Sequence, residues 1–199
     1  GEEVHGVATA LALHDSTAGD SASPQDLAYF LHYRSDALAA MATRLRQGPD
    51  FVRGYFRQAL SRVTDPHSGG RQMVMHLCMP QVGIQPVQSP VGMQLGKAAG
   101  YARGLQLKGT PGLVAAIVGD GSTAEGDMHD AMHAASVWGL PLIIVVTDNE
   151  VAITVRPEDG RGIRSYERYA EAFGFHYFQC DGHDFMDTYR RTCEAGETV

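Results

Sequence analysis

The sequence predicts an α/β domain with a largely parallel sheet and helices on both faces. Three observations predict it. Two continuous apolar runs, GLVAAIV at 112–118 and LPLIIVV at 140–146, have the all-round hydrophobicity of strands buried on both faces. The segment between them, 123–138, reads as a helix, so the unit is strand, helix, strand. A further helical stretch then leads to a third short apolar run, FHYFQC at 175–180, which continues the alternation. The 199 residues are 44% hydrophobic and 20% charged, enough for one domain whose core can hold a pocket.

Taken in order, residues 3–14 form a helix rich in alanine and leucine, and 14–26 form a loop of Ser, Asp, Gly and Pro. QDLAYFLHYRSDALAAMATRLRQG (25–48) carries helical periodicity and closes on Gly48, with Arg44 and Arg46 in its last turn. PDFVRGYFRQALSRVTDPHSGG (49–70) gives another helix and a glycine-rich stop. GRQMVMHLCMPQVGIQPVQSP (70–90) is broken by Gly and Pro and reads as a long structured loop, a type that usually serves function. VGMQLGKAAGYARGLQL (91–107) is a helix whose small residues allow close packing. After the first strand, Ser122-Thr123-Ala124-Glu125 fits a capping box. Met128, Met132 and Ala135 then share one apolar helix face, and Gly139 with Pro141 ends it. Beyond the second strand lie a connector (147–163), a helix around Tyr166–Phe173, the third strand, and a last helix capped by Asp184.

Composition limits the function classes. Net charge is −7, and the basic residues, 14 Arg and only Lys97 and Lys108, form no block, so neither nucleic acid nor an anionic membrane is an expected partner. Arginine favours planar carboxylate or phosphate partners. Cys78, Cys180 and Cys193 are odd in number and widely spaced, which fits free thiols in a reducing compartment. No apolar stretch approaches the ~18 residues of a membrane-spanning helix. The abrupt start on GEEVHG and stop on CEAGETV suggest part of a longer chain.

The two strand ends carry the chemistry. A right-handed crossover makes these strands parallel, so their C-terminal ends share the sheet edge where open α/β sheets bind ligands. Asp120 ends the first strand; Asn149 follows the second, 29 positions later. A carboxylate and an amide oxygen there, with Gly119 and Gly121 for close backbone approach and a helix start at 122–125 for an anion, suit Mg²⁺ holding a phosphate or diphosphate. HDAMH places His129 and His133 on one helical face, resembling a zinc hydrolase motif. Asp130 is shorter than the glutamate that chemistry uses, and no third ligand follows at a usual spacing, so a solvated or packed helix face is the better account.

GDG, a spacer of just under thirty residues and then Asn resemble the thiamine-diphosphate signature. The longer text GDGSTAEGDMHDAMHAASVWGLPLIIVVTDNEVAIT is similar to the alpha subunit of the decarboxylating dehydrogenase component of 2-oxo acid dehydrogenase complexes. GEEVHGVATALAL, HYRSDA, SPVGMQLGKAAGYA and FQCDGHDFMDTYRRTCEA resemble further segments of that family, covering nearly the whole chain. The resemblance implies a thiamine-diphosphate-binding fold, with residues 1–199 as the diphosphate and Mg²⁺ half. It implies Mg²⁺ held by the Asp120 and Asn149 side chains and the Val151 carbonyl, and diphosphate contacts from Tyr33, Arg34, Gly121 and Ser122. It also implies backbone contacts from Ser89 and Val91 to the aminopyrimidine ring.

Some positions depart from the family. Val151 replaces a tyrosine that offers only its carbonyl, and Asp148 replaces an asparagine. Met93 and Gln88 replace the threonine and serine of a potassium site in branched-chain members, which argues against potassium here.

The implied activity is oxidative decarboxylation of a 2-oxo acid with acyl transfer to a lipoyl group. The implied partners are a beta subunit in an α2β2 assembly, which would bring the activating glutamate, and a lipoyl-bearing acyltransferase. The implied compartment is the cytoplasm, or the mitochondrial matrix in a eukaryote. GRQMVMH at 70–76 looks more like the branched-chain members than the pyruvate type, and the loop keeps His76 open as a substrate neighbour. The alternatives are another thiamine-diphosphate enzyme, of transketolase or deoxyxylulose-phosphate synthase type, and a non-catalytic assembly relative.

Overall fold

The computed structural model describes residues 2–17, 26–46 and 50–199. Three parallel strands, β1 (Leu27–Phe30), β2 (Leu113–Gly119) and β3 (Leu142–Thr147), form one sheet in the order β1-β2-β3. The helices are α1 (Glu2–Ser16), α2 (Asp36–Arg46), α3 (Phe51–Ala59), α4 (Met93–Lys108), α5 (Gly126–Trp138), the single turn α6 (Pro157–Gly160), α7 (Tyr166–Ala172) and α8 (Phe185–Thr198).

Strand periodicity explains the layering. Successive side chains of β2 point to opposite faces. Leu113, Ala115 and Ile117, with Leu27 and Tyr29 of β1, pack on Ala10 and Leu13 of α1 and Leu38, Ala39 and Ala42 of α2. Val114, Ala116 and Val118, with Ala28 and Phe30, pack on Leu95, Ala98 and Ala102 of α4 and Met128, Ala131 and Met132 of α5. Of the small residues of α4, the alanines Ala98 and Ala102 face the sheet, whereas a Cβ on Gly96, Gly100 or Gly104 would meet open space. The last helix, α8, lies along α1, where the Tyr189 hydroxyl donates to Asp15 at 2.7 Å. Its start is fixed as expected: the Asp184 carboxylate accepts from the N–H groups of Met186 and Asp187.

Three local expectations are corrected. Residues 27–30 are a strand, and the helix of that region begins only at Asp36. LAYF is buried along its whole length and pairs with β2, and Tyr29 exchanges hydrogen bonds with the 83–85 segment on its other side. Tertiary pairing overrides the helical periodicity there. FHYFQC at 175–180 is not a strand: its backbone joins no ladder, although Phe175 packs against the second core. The capping box does not form either. Residues Asp120–Ala124 make a 3-10 turn, and Glu125, with extended backbone and no capping bond from its side chain, precedes α5. The loop at 14–26 and the Gly48 stop lie largely outside the described residues.

The 70–90 loop is structured, with a 3-10 turn at Pro80–Val82 and short bridges from Met79 and Tyr29 to Ile84. Among the described residues no helix is long and apolar enough to cross a membrane.

Because Ile117 is fully buried where β2 meets α1 and α2, Ile117→Ala should lower stability by about 2–5 kcal/mol in urea unfolding. Val137→Ala, on the exposed face of α5, should change it by less than about 0.5 kcal/mol.

Candidate active site

The register of β2 and β3 pairs Gly119 with Thr147, so the two chains leave the sheet level with one another, at Asp120 and Asp148. The Thr147 hydroxyl donates to the Val118 carbonyl at 3.1 Å and ties these ends together. From Asp120 the chain enters its 3-10 turn, where the Thr123 hydroxyl donates to the Asp120 carbonyl at 2.6 Å. The Asp120 side chain is 5% exposed.

A cation stands between the two acids. Arg161 Nη1 lies 2.9 Å from Asp148 Oδ2 and 3.9 Å from Asp120 Oδ2. The same guanidinium lies 4.8 Å from the ring centre of Tyr166 and donates to its hydroxyl. Burial alone would raise the Asp148 carboxyl, but the Glu150 N–H and Arg161 outweigh it and hold the group below the usual carboxylate range. Burial, then the Asp148 charge, push the Tyr166 hydroxyl up to about 12.

The turn after β3 is tight. Asp148 Oδ1 accepts from Glu150 N at 2.8 Å, and Asn149 Oδ1 accepts from Val151 N at 3.2 Å. Glu150 (φ 60°) and Ile153 (φ 61°) occupy the left-handed region, which is uncommon for such residues and concentrates at functional sites. This turn reaches back to the Gly-Asp-Gly turn: a Cβ on Gly121 would lie 2.9 Å from the Cβ of Ala152, so only glycine fits.

On the other side, the segment after β1 brings in Arg34. Its Nη2 would lie 3.2 Å from a Cβ on Gly119, so the guanidinium fills space that this glycine leaves. Arg34 also donates through Nε to Glu2 at 3.1 Å and through Nη1 to the Tyr33 hydroxyl at 3.2 Å. His32 is buried beside it and accepts from the Arg34 backbone N–H at 3.4 Å. Burial and the Arg34 charge push the His32 imidazole down to about 4.

The structure thus gathers Arg34, Gly119, Asp120, Gly121, Asp148 and Arg161 around one strand edge. Ser122 is buried in the 3-10 turn, and Tyr33 is half-exposed beside Arg34. Asn149 and Val151 sit on the turn that touches Gly121, with the Asn149 side chain folded onto its own backbone. Ser89 and Val91 are exposed just before α4. That segment is anchored by Gly92, whose Cβ would lie 3.3 Å from Glu125 Cβ, and by Gln94, which donates to the Ile117 carbonyl at 3.0 Å.

A buried carboxylate, an amide oxygen and a backbone carbonyl are the hard oxygens that Mg²⁺ takes. Two arginines beside them offer the planar donors that a diphosphate takes. The residues present fit such a group. Among the described residues no three His, Cys, Asp or Glu side chains converge as a metal site. His129 of HDAMH instead packs edge-on against Phe173, with ring centres 5.1 Å apart.

Sequence reasoning passed over Arg161 and His32. Arg161 lies in a connector without periodicity, and no spacing rule links it to Asp120. The available signal was a second acid, Asp148, beside the expected ligand; a carboxylate pair calls for a counter-charge.

The profile of the family described as "Dehydrogenase E1 component" matches residues 15–198. The chain is 32% identical over 117 residues to the pyruvate dehydrogenase E1 component subunit alpha of Rickettsia typhi, covering 59% of this chain and 34% of that one. It is 29% identical over 196 residues to the mitochondrial 2-oxoisovalerate dehydrogenase subunit alpha of Caenorhabditis elegans, covering 98% and 42%. Against the 2-oxoisovalerate dehydrogenase subunit alpha of Pseudomonas aeruginosa it is 29% identical over 198 residues, covering 99% and 44%. The matched stretches therefore span between a third and a half of the length of these relatives.

Two outcomes test this geometry. Gly121→Ala should displace the Ala152 turn, seen as faster amide exchange across residues 148–155; unchanged exchange there would refute the contact. His32 should make stability depend on pH. Its folded value, about 4, lies below its ordinary 6.5, so the unfolded chain takes up the proton first. Stability is full above 6.5 and falls as pH drops from 6.5 towards 4; in urea titrations His32→Phe should flatten that slope.

Proposed function

The chain belongs to the dehydrogenase E1 component family, and from that premise we propose that it is the alpha subunit of a 2-oxo acid dehydrogenase. It carries the Mg²⁺ and diphosphate half of a thiamine-diphosphate site. With a beta subunit and a lipoyl-bearing acyltransferase it serves the oxidative decarboxylation of a 2-oxo acid and transfer of the acyl group to lipoyl. The observation that carries this reading is the convergence of Asp120, Arg34 and Arg161 at parallel strand ends around Gly119 and Gly121.

In this reading Asp120, the Asn149 amide and the Val151 carbonyl hold Mg²⁺. Arg34 and Arg161 offset the diphosphate charge, with the Tyr33 hydroxyl beside Arg34, and Gly121 and Ser122 line the diphosphate through their backbone. Asp148 and Tyr166 keep the Arg161 guanidinium in place. The backbone of Ser89 and Val91 receives the aminopyrimidine ring. When bound, thiamine diphosphate supplies a carbon nucleophile and the electron sink that loss of carbon dioxide requires. The glutamate that activates the ring comes from the beta subunit, so this chain alone binds and orients but does not turn over.

Branched-chain 2-oxo acids are the favoured substrates, with pyruvate next. The GRQMVMH text supports this order.

Calorimetry with the beta subunit present should show Mg²⁺-dependent thiamine-diphosphate binding. Asp120→Ala should abolish it up to about 1 mM cofactor. No heat from the unaltered complex would sink the proposal. On the assembled enzyme, kcat/KM should be higher for 3-methyl-2-oxobutanoate than for pyruvate, and the reverse order would overturn the substrate assignment.

A further inference from the structure

A second constellation lies in the 70–90 loop, outside the strand-end cluster. Gln58, on α3, is 1% exposed and uses both ends of its carboxamide on the two peptide units that flank the Met75–His76 peptide. Its Oε1 accepts from Met75 N at 2.9 Å, and its Nε2 donates to the His76 carbonyl at 3.1 Å. Between those bonds Met75, itself buried, holds φ at 64°, in the left-handed region. A long side chain does not take that conformation without external restraint. The planar amide of Gln58 is the restraint.

The clamp aims His76. Its Nδ1 lies 3.2 Å from the Val74 carbonyl, which can only accept, so the neutral ring carries its proton on Nδ1. Nε2 is then an acceptor, and the Ser89 hydroxyl donates to it at 2.6 Å. The base of the loop is closed by Val87 N donating to the Leu77 carbonyl at 3.0 Å. Ser89 is exposed, and so is Val91 two residues on.

We infer that Gln58 and His76 are positioning residues for the Ser89–Val91 segment. Gln58 fixes the peptide that carries His76, and His76 fixes the Ser89 side chain, so an exposed stretch of backbone is held ready for a ligand before one arrives. This rests on the reading that Ser89–Val91 receives the aminopyrimidine ring of thiamine diphosphate. Neither residue touches the cofactor; both act through Ser89.

The test is a double-mutant cycle on thiamine-diphosphate affinity, read by calorimetry on the complex with the beta subunit at saturating Mg²⁺. His76→Phe keeps ring bulk and removes both hydrogen bonds; Ser89→Ala removes the hydroxyl and keeps the backbone. Each should weaken the cofactor about tenfold, and the double variant should also lose about tenfold, not a hundredfold, because both break one interaction. Gln58→Leu should weaken the cofactor in the same direction. If His76→Phe does not assemble, His76→Asn, too short to reach Ser89, replaces it.

An unaltered complex that binds the cofactor, with the histidine variant within about twofold of it, overturns this inference alone; so do effects that multiply. An unaltered complex that does not bind overturns both this inference and the proposed function.

Discussion

Gly119 pairs with Thr147 across a parallel ladder, and that register governs where charge can lie at the sheet edge. Both strands stop at the same height, so Asp120 and Asp148 emerge side by side. Two carboxylates held close in a partly dry place repel one another, and neither can be left there without a counter-charge. Arg161 meets that need, and Tyr166 meets Arg161 in turn. The connector from residue 148 to residue 166 is therefore organised from the strand ends outward. It has little regular structure of its own, yet its course is set by an electrostatic demand that the ladder creates.

Space matters as much as charge. Gly119 leaves room for the Arg34 guanidinium and Gly121 for Ala152. One glycine admits the segment that follows β1, and the other admits the segment that follows β3. The acid between them is almost wholly enclosed, and its two glycine neighbours are met by parts of the chain more than a hundred residues apart. Enclosure raises the strength of any interaction it makes, because little water remains to screen it.

Much of this was legible in the sequence, for identifiable reasons. GLVAAIV, a continuous apolar run, is the fully buried central strand; LPLIIVV is also a strand, but at the end of the sheet it is buried only at Leu142 and Ile143. Asp184 before an amphipathic stretch is a cap because a carboxylate satisfies N–H groups that the helix itself cannot. LAYF failed as a signal: four buried residues beside a helical stretch look the same as its first turn, and only pairing with β2 and Ile84 distinguishes them. FHYFQC failed in the opposite sense: its composition is that of a strand, yet its backbone joins no ladder and only Phe175 is packed, against the face shared with α4 and α5. At the site, Asp120 was legible because a strand end is a local feature. Arg161 and the clamp of Gln58 on Met75 were not, because each joins segments that no local pattern connects.

The two-faced packing of β2 has a consequence for how this chain can vary in length. Ile117 and Val118 are neighbours in sequence but belong to different cores. An inserted or deleted residue within 113–119 would hand each side chain beyond it to the wrong layer of helices, so no part of that strand can absorb an indel. The segments bearing Tyr33 and Arg34, Ser89 and Val91, and Asn149 and Val151 are under no such rule, because no ladder runs through them. The site thus joins one immovable acid to several editable loops. One acid of the site is pinned by strand register, while its arginines and its other oxygen donors lie on loops and are held there by side-chain contacts.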